Sequence, residues 1–227
     1  MKRGKKYKKI TQDLDRSASY TLQQGIKKIK TLSYSKFPGT LELHIDLKIP
    51  KDKDPKSLKG AVSLPNATNT KNIKVAVFCT PDKEEEAKSA GADFVGLDSL
   101  IKEIKENGPH FDVAIATPSV MPKIAVLGKE LGPKGLMPNP KNGTVTENIS
   151  KAVSEYKKGK QTFACDPSGV VHMAVGSLDM EDQKLEENIH TAISAISEVV
   201  GKSYDQIIQR MYICPTMGPS IKINYSR

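Results

Sequence analysis

Two short stretches carry residue types suited to contact with nucleic acid. In KFPGT, residues 36–40, Lys36 can pair with a phosphate, and Phe37 can either stack on a base or pack on a sheet. In PTMGP, residues 215–219, Met217 can fill an irregular apolar surface, including a shallow minor groove. The hydroxyls of Thr40 and Thr216 and the backbone of Gly218 can bond 2′-hydroxyls or phosphates. Taken one by one, these residues also suit plain packing. Both stretches lie at the ends of predicted strands, which places them in one structural setting.

Other chemistries find less support. Gly128 to Gly135 invites comparison with a phosphate loop, but the upstream Gly and the following hydroxyl of that pattern are missing. GxGxxG does not occur, so a dinucleotide site is poorly supported. No Ser/His/Asp set or carboxylate pair stands out, and Glu84–Glu86 and Glu186–Glu187 read as solvated helix faces. Cys79, Cys165 and Cys214 form no CxxC pair, and His44, His110, His172 and His190 are isolated. Neither a disulfide framework nor a metal site follows.

The elements that must position the two stretches come from periodicity and charge. Of the net charge of +9, residues 1–36 supply all, with eleven Lys/Arg against two Asp/Glu. A basic arm of this kind points to a polyanionic partner, with a solubilising tail as the plain alternative. Residues 1–9 are expected to order only on that partner. The start has no apolar signal core, and no run of about 18 apolar residues exists to cross a membrane. Helical spacing covers 20–32, and Leu41 to Ile49 alternate with polar residues as a half-buried strand. From Ile73 the apolar runs become continuous, and strands at 73–79, 94–95 and 111–117 alternate with helices at 83–90, 97–104, 118–127 and 147–158. That is an α/β unit with a parallel sheet. Gly128 to Thr146, with Pro133, Pro138 and Pro140 among its glycines, is expected to be a long loop without regular structure. Beyond Gly159, strands 161–165 and 170–175 flank the turn Asp166-Pro167-Ser168-Gly169 as a hairpin. A helix at 182–200 and strands 209–213 and 220–224 follow. The simplest architecture inserts the middle into a domain built from both chain ends, with a double hinge near residues 66 and 159.

GKELGPKGLMPNPKNGTVT, residues 128–146, closely resembles the signature of the large-subunit ribosomal protein one family, the protein of the mobile side stalk. KFPGTLELHIDL, GAVSLPNATNTKNIKVAVF, AGADFVG, FDVAIATP, GVVHMAVG and PTMGPSIKIN resemble that family's segments in the same order, so the likeness covers nearly the whole chain. GLMPNPKNGTVT and TMGPS fit its bacterial and organellar branch. The resemblance implies an α/β protein of two domains: a split α+β domain (1–66 and 160–227) and an inserted Rossmann-like three-layer α/β domain (67–159). It implies that the split domain binds a helix–loop–helix of large-subunit ribosomal RNA. Carried over by motif, contacts come from Lys36, Phe37, Thr40 and Glu42, from Thr216, Met217 and Gly218, and from Asp166, Ser168 and His172. It also implies assistance to deacylated transfer RNA leaving the exit site and repression of its own messenger RNA. The expected protein is a monomer when free, needs no cofactor or membrane, is not an enzyme, and sits on a cytoplasmic ribosome, an organellar one being the other option. The alternative is a nucleotide-binding enzyme using the central α/β unit. Two departures stand out. Cys214-Pro215 replaces the hydroxyl residues of the bacterial pattern, which predicts one missing RNA hydrogen bond. Asn66-Ala67 replaces a frequent His-Gly, which predicts altered hinge flexibility.

Overall fold

The computed structural model describes residues 4–12, 14–15, 17–49, 54–66 and 73–225. Its backbone divides into two compact units, Met1–Thr68 with Phe163–Arg227, and Asn69–Thr162.

The first unit is built on a five-stranded sheet. Its strands are β1 (Ser19–Tyr20), β2 (Thr40–Leu47), β8 (Val170–Ser177), β9 (Ile208–Pro215) and β10 (Ile221–Ile223), in the order β1-β10-β9-β2-β8. β1 runs parallel to β10, and the other neighbours are antiparallel. The alternation along β2 works as the pattern predicts: Leu41, Leu43, Ile45 and Leu47 are buried, while Thr40, Glu42, His44 and Asp46 are not. Two helices cover the apolar face, α2 (Leu22–Leu32) and α8 (Asp182–Val200). They contribute Ile26, Ile29, Leu185, Ile189, Ile193 and Ile196 to the core. α2 starts at a capping box, in which the Thr21 hydroxyl accepts from Gln24 N and Thr21 N donates to the Gln24 side chain. A short helix, α1 (Lys5–Ile10), covers part of the 1–9 stretch expected to order only on a partner, and Ile10 rests on this core. A further short helix, α9 (Tyr204–Ile207), leads directly into β9.

The second unit is layered. β4 (Val75–Phe78), β5 (Phe94–Gly96) and β6 (Val113–Ala116) form a parallel sheet in the order β5-β4-β6. All four residues of β4 are buried, as a strand covered on both faces requires. On one face Phe78 and Ala116 pack with Leu100 and Ile104 of α4 (Asp98–Asn107). On the other, Val77 and Ile115 pack with Ala87 of α3 (Glu84–Ser89) and with Ile149 and Val153 of α7 (Ile149–Lys157).

Three expectations need correction. The helix at 118–127 is broken into short turns around α5 (Met121–Ile124). The stretch 128–146 is not free of regular structure: α6 (Gly128–Leu131) is helical at its start. Leu127 and Leu131 are fully buried one turn apart. Burying such a side chain is worth about 1.5–3 kcal/mol, which outweighs the ~1 kcal/mol that a helical Gly costs. The same stretch ends by bridging β6 in parallel, with Ala116 N donating to Thr144 O and Thr146 N to Ala116 O. The third correction concerns the 161–175 hairpin. Its arms meet only at a single bridge, Cys165 to Val171. β7 (Lys160–Ala164) pairs instead with β3 (Lys59–Ser63), and β8 pairs with β2. Gly60 permits this, because a Cβ there would lie 2.8 Å from the Phe163 ring. The expected hinge at Asn66-Ala67 lies partly outside the described residues.

Candidate nucleic-acid interface

One end of the sheet gathers both loops read as RNA-contacting. Thr216 N donates to Thr40 O at 2.9 Å, and Thr40 N donates to the Thr216 hydroxyl at 3.2 Å. The same hydroxyl approaches Glu42 Oε1 at 3.4 Å. Antiparallel pairing sets this up, since Leu41 faces Pro215 and Glu42 faces Cys214 across β2 and β9. Ser35 donates its hydroxyl to Phe37 O at 2.7 Å, which shapes the turn ahead of β2. Lys36 is exposed, and Phe37 is 57% and Met217 39% exposed. Gly218 lies where a Cβ would come within 2.5 Å of the Pro215 ring and 3.2 Å of Leu32 O, so only glycine fits this turn against the end of α2. Cys214 directs its thiol at the turn's own carbonyls, Pro215 O at 3.2 Å and Gly218 O at 3.8 Å. Burial, and then the nearby Glu42 charge, push that thiol pKa up.

The other three site residues meet at the far end of β2. Asp166 Oδ1 accepts from Ser168 N at 2.9 Å and Val170 N at 2.8 Å. Gly169 takes φ +90° to close the turn, and Asp166 Oδ2 lies 3.7 Å from His172 Nε2. The bond from Val170 N leads the effects that hold the Asp166 carboxyl below its usual 3.8. The sign follows from linkage. Stabilisation by this turn is complete above the ordinary carboxylate value and is lost as pH falls through the lower folded one. An NMR titration of the Asp166 carboxyl carbon should therefore give a midpoint below 3.8. A midpoint at or above that value would show that the turn bonds do not favour the charged form.

These two groups lie about 20 Å apart along β2, from six residues at ~3.4 Å each. A residue not singled out from the sequence joins them. His44 Nδ1 and His172 Nδ1 are 2.7 Å apart, and their rings meet edge to face at 5.0 Å. One neutral imidazole donates and the other accepts. Burial, with the facing His172 second, holds the His44 pKa down, partly offset by Glu42. Glu42 Oε2 is 3.7 Å from His44 Nε2. A polar line therefore runs Thr216, Glu42, His44, His172, Asp166 across the face opposite the helices. The alternation of β2 already put His44 on the wet face. Its pairing with His172 depends on the register of β2 against β8, which no local pattern reveals.

The described residues thus define an α/β protein whose open sheet face carries a polar line, with exposed Phe37 and Met217 at one end. Residues 26–219, from α2 through the turn at Gly218, match the ribosomal protein L1p/L10e family. The chain belongs to that family. Among its relatives, the large ribosomal subunit protein uL1 of Kosmotoga olearia is 41% identical over 227 residues, covering all of this chain and 98% of that protein. The proteins of the same name from Thermosipho africanus and Leptospira biflexa are 42% and 41% identical over 225 residues, covering 97% and 96% of their own lengths.

Proposed function

We propose that this chain is a constituent of the large ribosomal subunit and binds large-subunit ribosomal RNA at the mobile side stalk. The observation that carries this reading is the junction of the two loops, with Thr216 bonded to Thr40 and Phe37 and Met217 exposed beside them. Aromatic and apolar side chains there can meet base and sugar surfaces, while Thr216, the Gly218 backbone and the line through Glu42 to Asp166 meet hydroxyls and amino groups. Residues 1–66 and 160–227 form the RNA-binding domain, and 67–159 an inserted Rossmann-like domain. The role is architectural rather than enzymatic, on a cytoplasmic ribosome. It extends to the release of deacylated transfer RNA from the exit site and to repression of the protein's own messenger.

The test is a titration of the full-length protein with the helix–loop–helix of the stalk RNA and with an unrelated hairpin of equal length. A specific site should bind the stalk RNA at least about a thousandfold more tightly, the lower end of specific-over-nonspecific ratios in nucleic-acid recognition. Equal affinity for the two RNAs would overturn the assignment, as would tight, specific binding of a nucleotide by the second unit.

A further inference from the structure

The open face of the sheet divides by charge. Over β2 and the turn before β8 stand three carboxylates, Glu42, Asp46 and Asp166. Over β9 and β10 stand Arg210 and Lys222. Both point away from the helices, because their neighbours Met211, Ile221 and Ile223 are buried in the core. Lys222 lies opposite Tyr212, and Arg210 is two residues from Tyr212 on the same face. The two cations are therefore diagonal neighbours, about 7–8 Å apart at the backbone and within joint reach of one anion. They line a depression of about 350 Å³ with Ser19, Tyr204 and Asn224; among the described residues lining it, the only carboxylate is Asp205. Neither cation has an ion-pair partner among the described residues, although Asp46 lies across the strand pair from Arg210.

Resting on the RNA-binding reading above, we propose that Arg210 and Lys222 form a backbone-phosphate site that orients the RNA on this face. A carboxylate accepts hydrogen bonds only, so Glu42 and Asp166 can meet 2′-hydroxyls and base amino groups but repel phosphates. Guanidinium and ammonium have the opposite preference. The RNA therefore lies with its sugar and base edges over β2 and its phosphates over β9 and β10. β9 lies one strand spacing from β2, about 5 Å, and β10 two, about 10 Å. Arg210 and Lys222 supply position and affinity, while discrimination among sequences stays with the loops at Thr40 and Thr216.

The test uses the full chain and stalk RNA over a series of salt concentrations. Arg210→Gln with Lys222→Gln should lower the salt slope of log affinity by roughly 1.4–1.8, from ~0.7–0.9 per phosphate contact. Preference for stalk RNA over the unrelated hairpin should stay unchanged. Lys222→Arg, which keeps the charge, should retain the slope and shows that the position tolerates substitution. Lys102→Gln with Lys105→Gln on α4 removes the same charge elsewhere and should leave the slope as it was. An unchanged slope in the Arg210/Lys222 double variant, with the wild type still selective, overturns the phosphate site and leaves the RNA-binding reading standing. An equal fall in the α4 variant reduces the effect to bulk charge and also overturns the site. A wild type that fails to discriminate between the two RNAs overturns the underlying reading instead.

Discussion

Asn188→Ala should lower the stability of the first unit by about 3–5 kcal/mol in urea unfolding, the largest loss expected from any single polar substitution in it. The side chain lies within α8 and is fully buried. Its amide makes three hydrogen bonds, all to backbone. Nδ2 donates to Asn66 O at 3.0 Å and to Val175 O at 2.7 Å, and Oδ1 accepts from Asn66 N at 3.0 Å. Truncation strands the buried Val175 carbonyl and the half-buried carbonyl and N–H of Asn66. Each stranded group costs about 1–3 kcal/mol, and the upper sum is reduced because neighbouring groups relax. Against a typical total of ~5–15 kcal/mol, such a loss puts folding at risk. Asn188→Asp should do no better, since a carboxylate oxygen would then face two carbonyl oxygens. The slope of the transition should stay constant, which separates a change in stability from a change in the unfolded state. A loss below about 1 kcal/mol would show that these bonds do not hold Asn66 to α8 and β8.

Asn188 also marks where the sequence stops being informative. The apolar stripe of α8, Leu185, Ile189, Ala192, Ile193 and Ile196, is legible from helical spacing alone. A polar residue on that stripe has no local meaning, because its partners lie 122 and 13 residues away in the chain. The same holds for the face. Alternation in β2 marks Glu42, His44 and Asp46 as outward, and turn chemistry marks Asp166 to Gly169. The meeting of His44 with His172 and of Thr40 with Thr216 is a matter of register between strands far apart in sequence. The elements misread from sequence were those in which tertiary contacts overrode local preference. Leu131 holds a helical turn at a glycine-rich site, and Phe163 draws β7 to β3 across Gly60. Lys36, Phe37, Thr40, Thr216 and Met217 stand out by side-chain chemistry, and Gly218 by its accessible backbone. Glu42, Asp166, Ser168 and His172 came only from the family likeness, since an acceptor on a wet face reads equally well as a solvated strand.

Met217→Ala should weaken binding of the stalk RNA by about 1–2 kcal/mol, roughly five- to thirtyfold, as truncation of an interface anchor commonly does. Stability should change by less than about 0.5 kcal/mol, as at other surface positions. The argument rests on how the side chain is presented. Met217 is 39% exposed, so the ~2–5 kcal/mol penalty for emptying a core site does not apply. Yet its backbone is held on both sides. Thr216 is bonded to Thr40 through main chain and hydroxyl, and Gly218 is wedged against Pro215 and the end of α2. An apolar side chain fixed in this way has lost little freedom still to be lost on binding, which favours its use as a contact. Its thioether can follow the uneven surface of a sugar–base edge while the Thr216 hydroxyl and the Gly218 backbone take the polar groups beside it. Phe37, 57% exposed in the facing loop, should behave alike on truncation to Ala. Because the two loops share one sheet end, the double variant should lose less or more than the sum of the single losses if both side chains touch the same stretch of RNA. Urea unfolding beside an RNA titration decides the matter. A large stability loss with unchanged affinity in the folded fraction would make Met217 a packing residue, and unchanged affinity at unchanged stability would remove it from the interface.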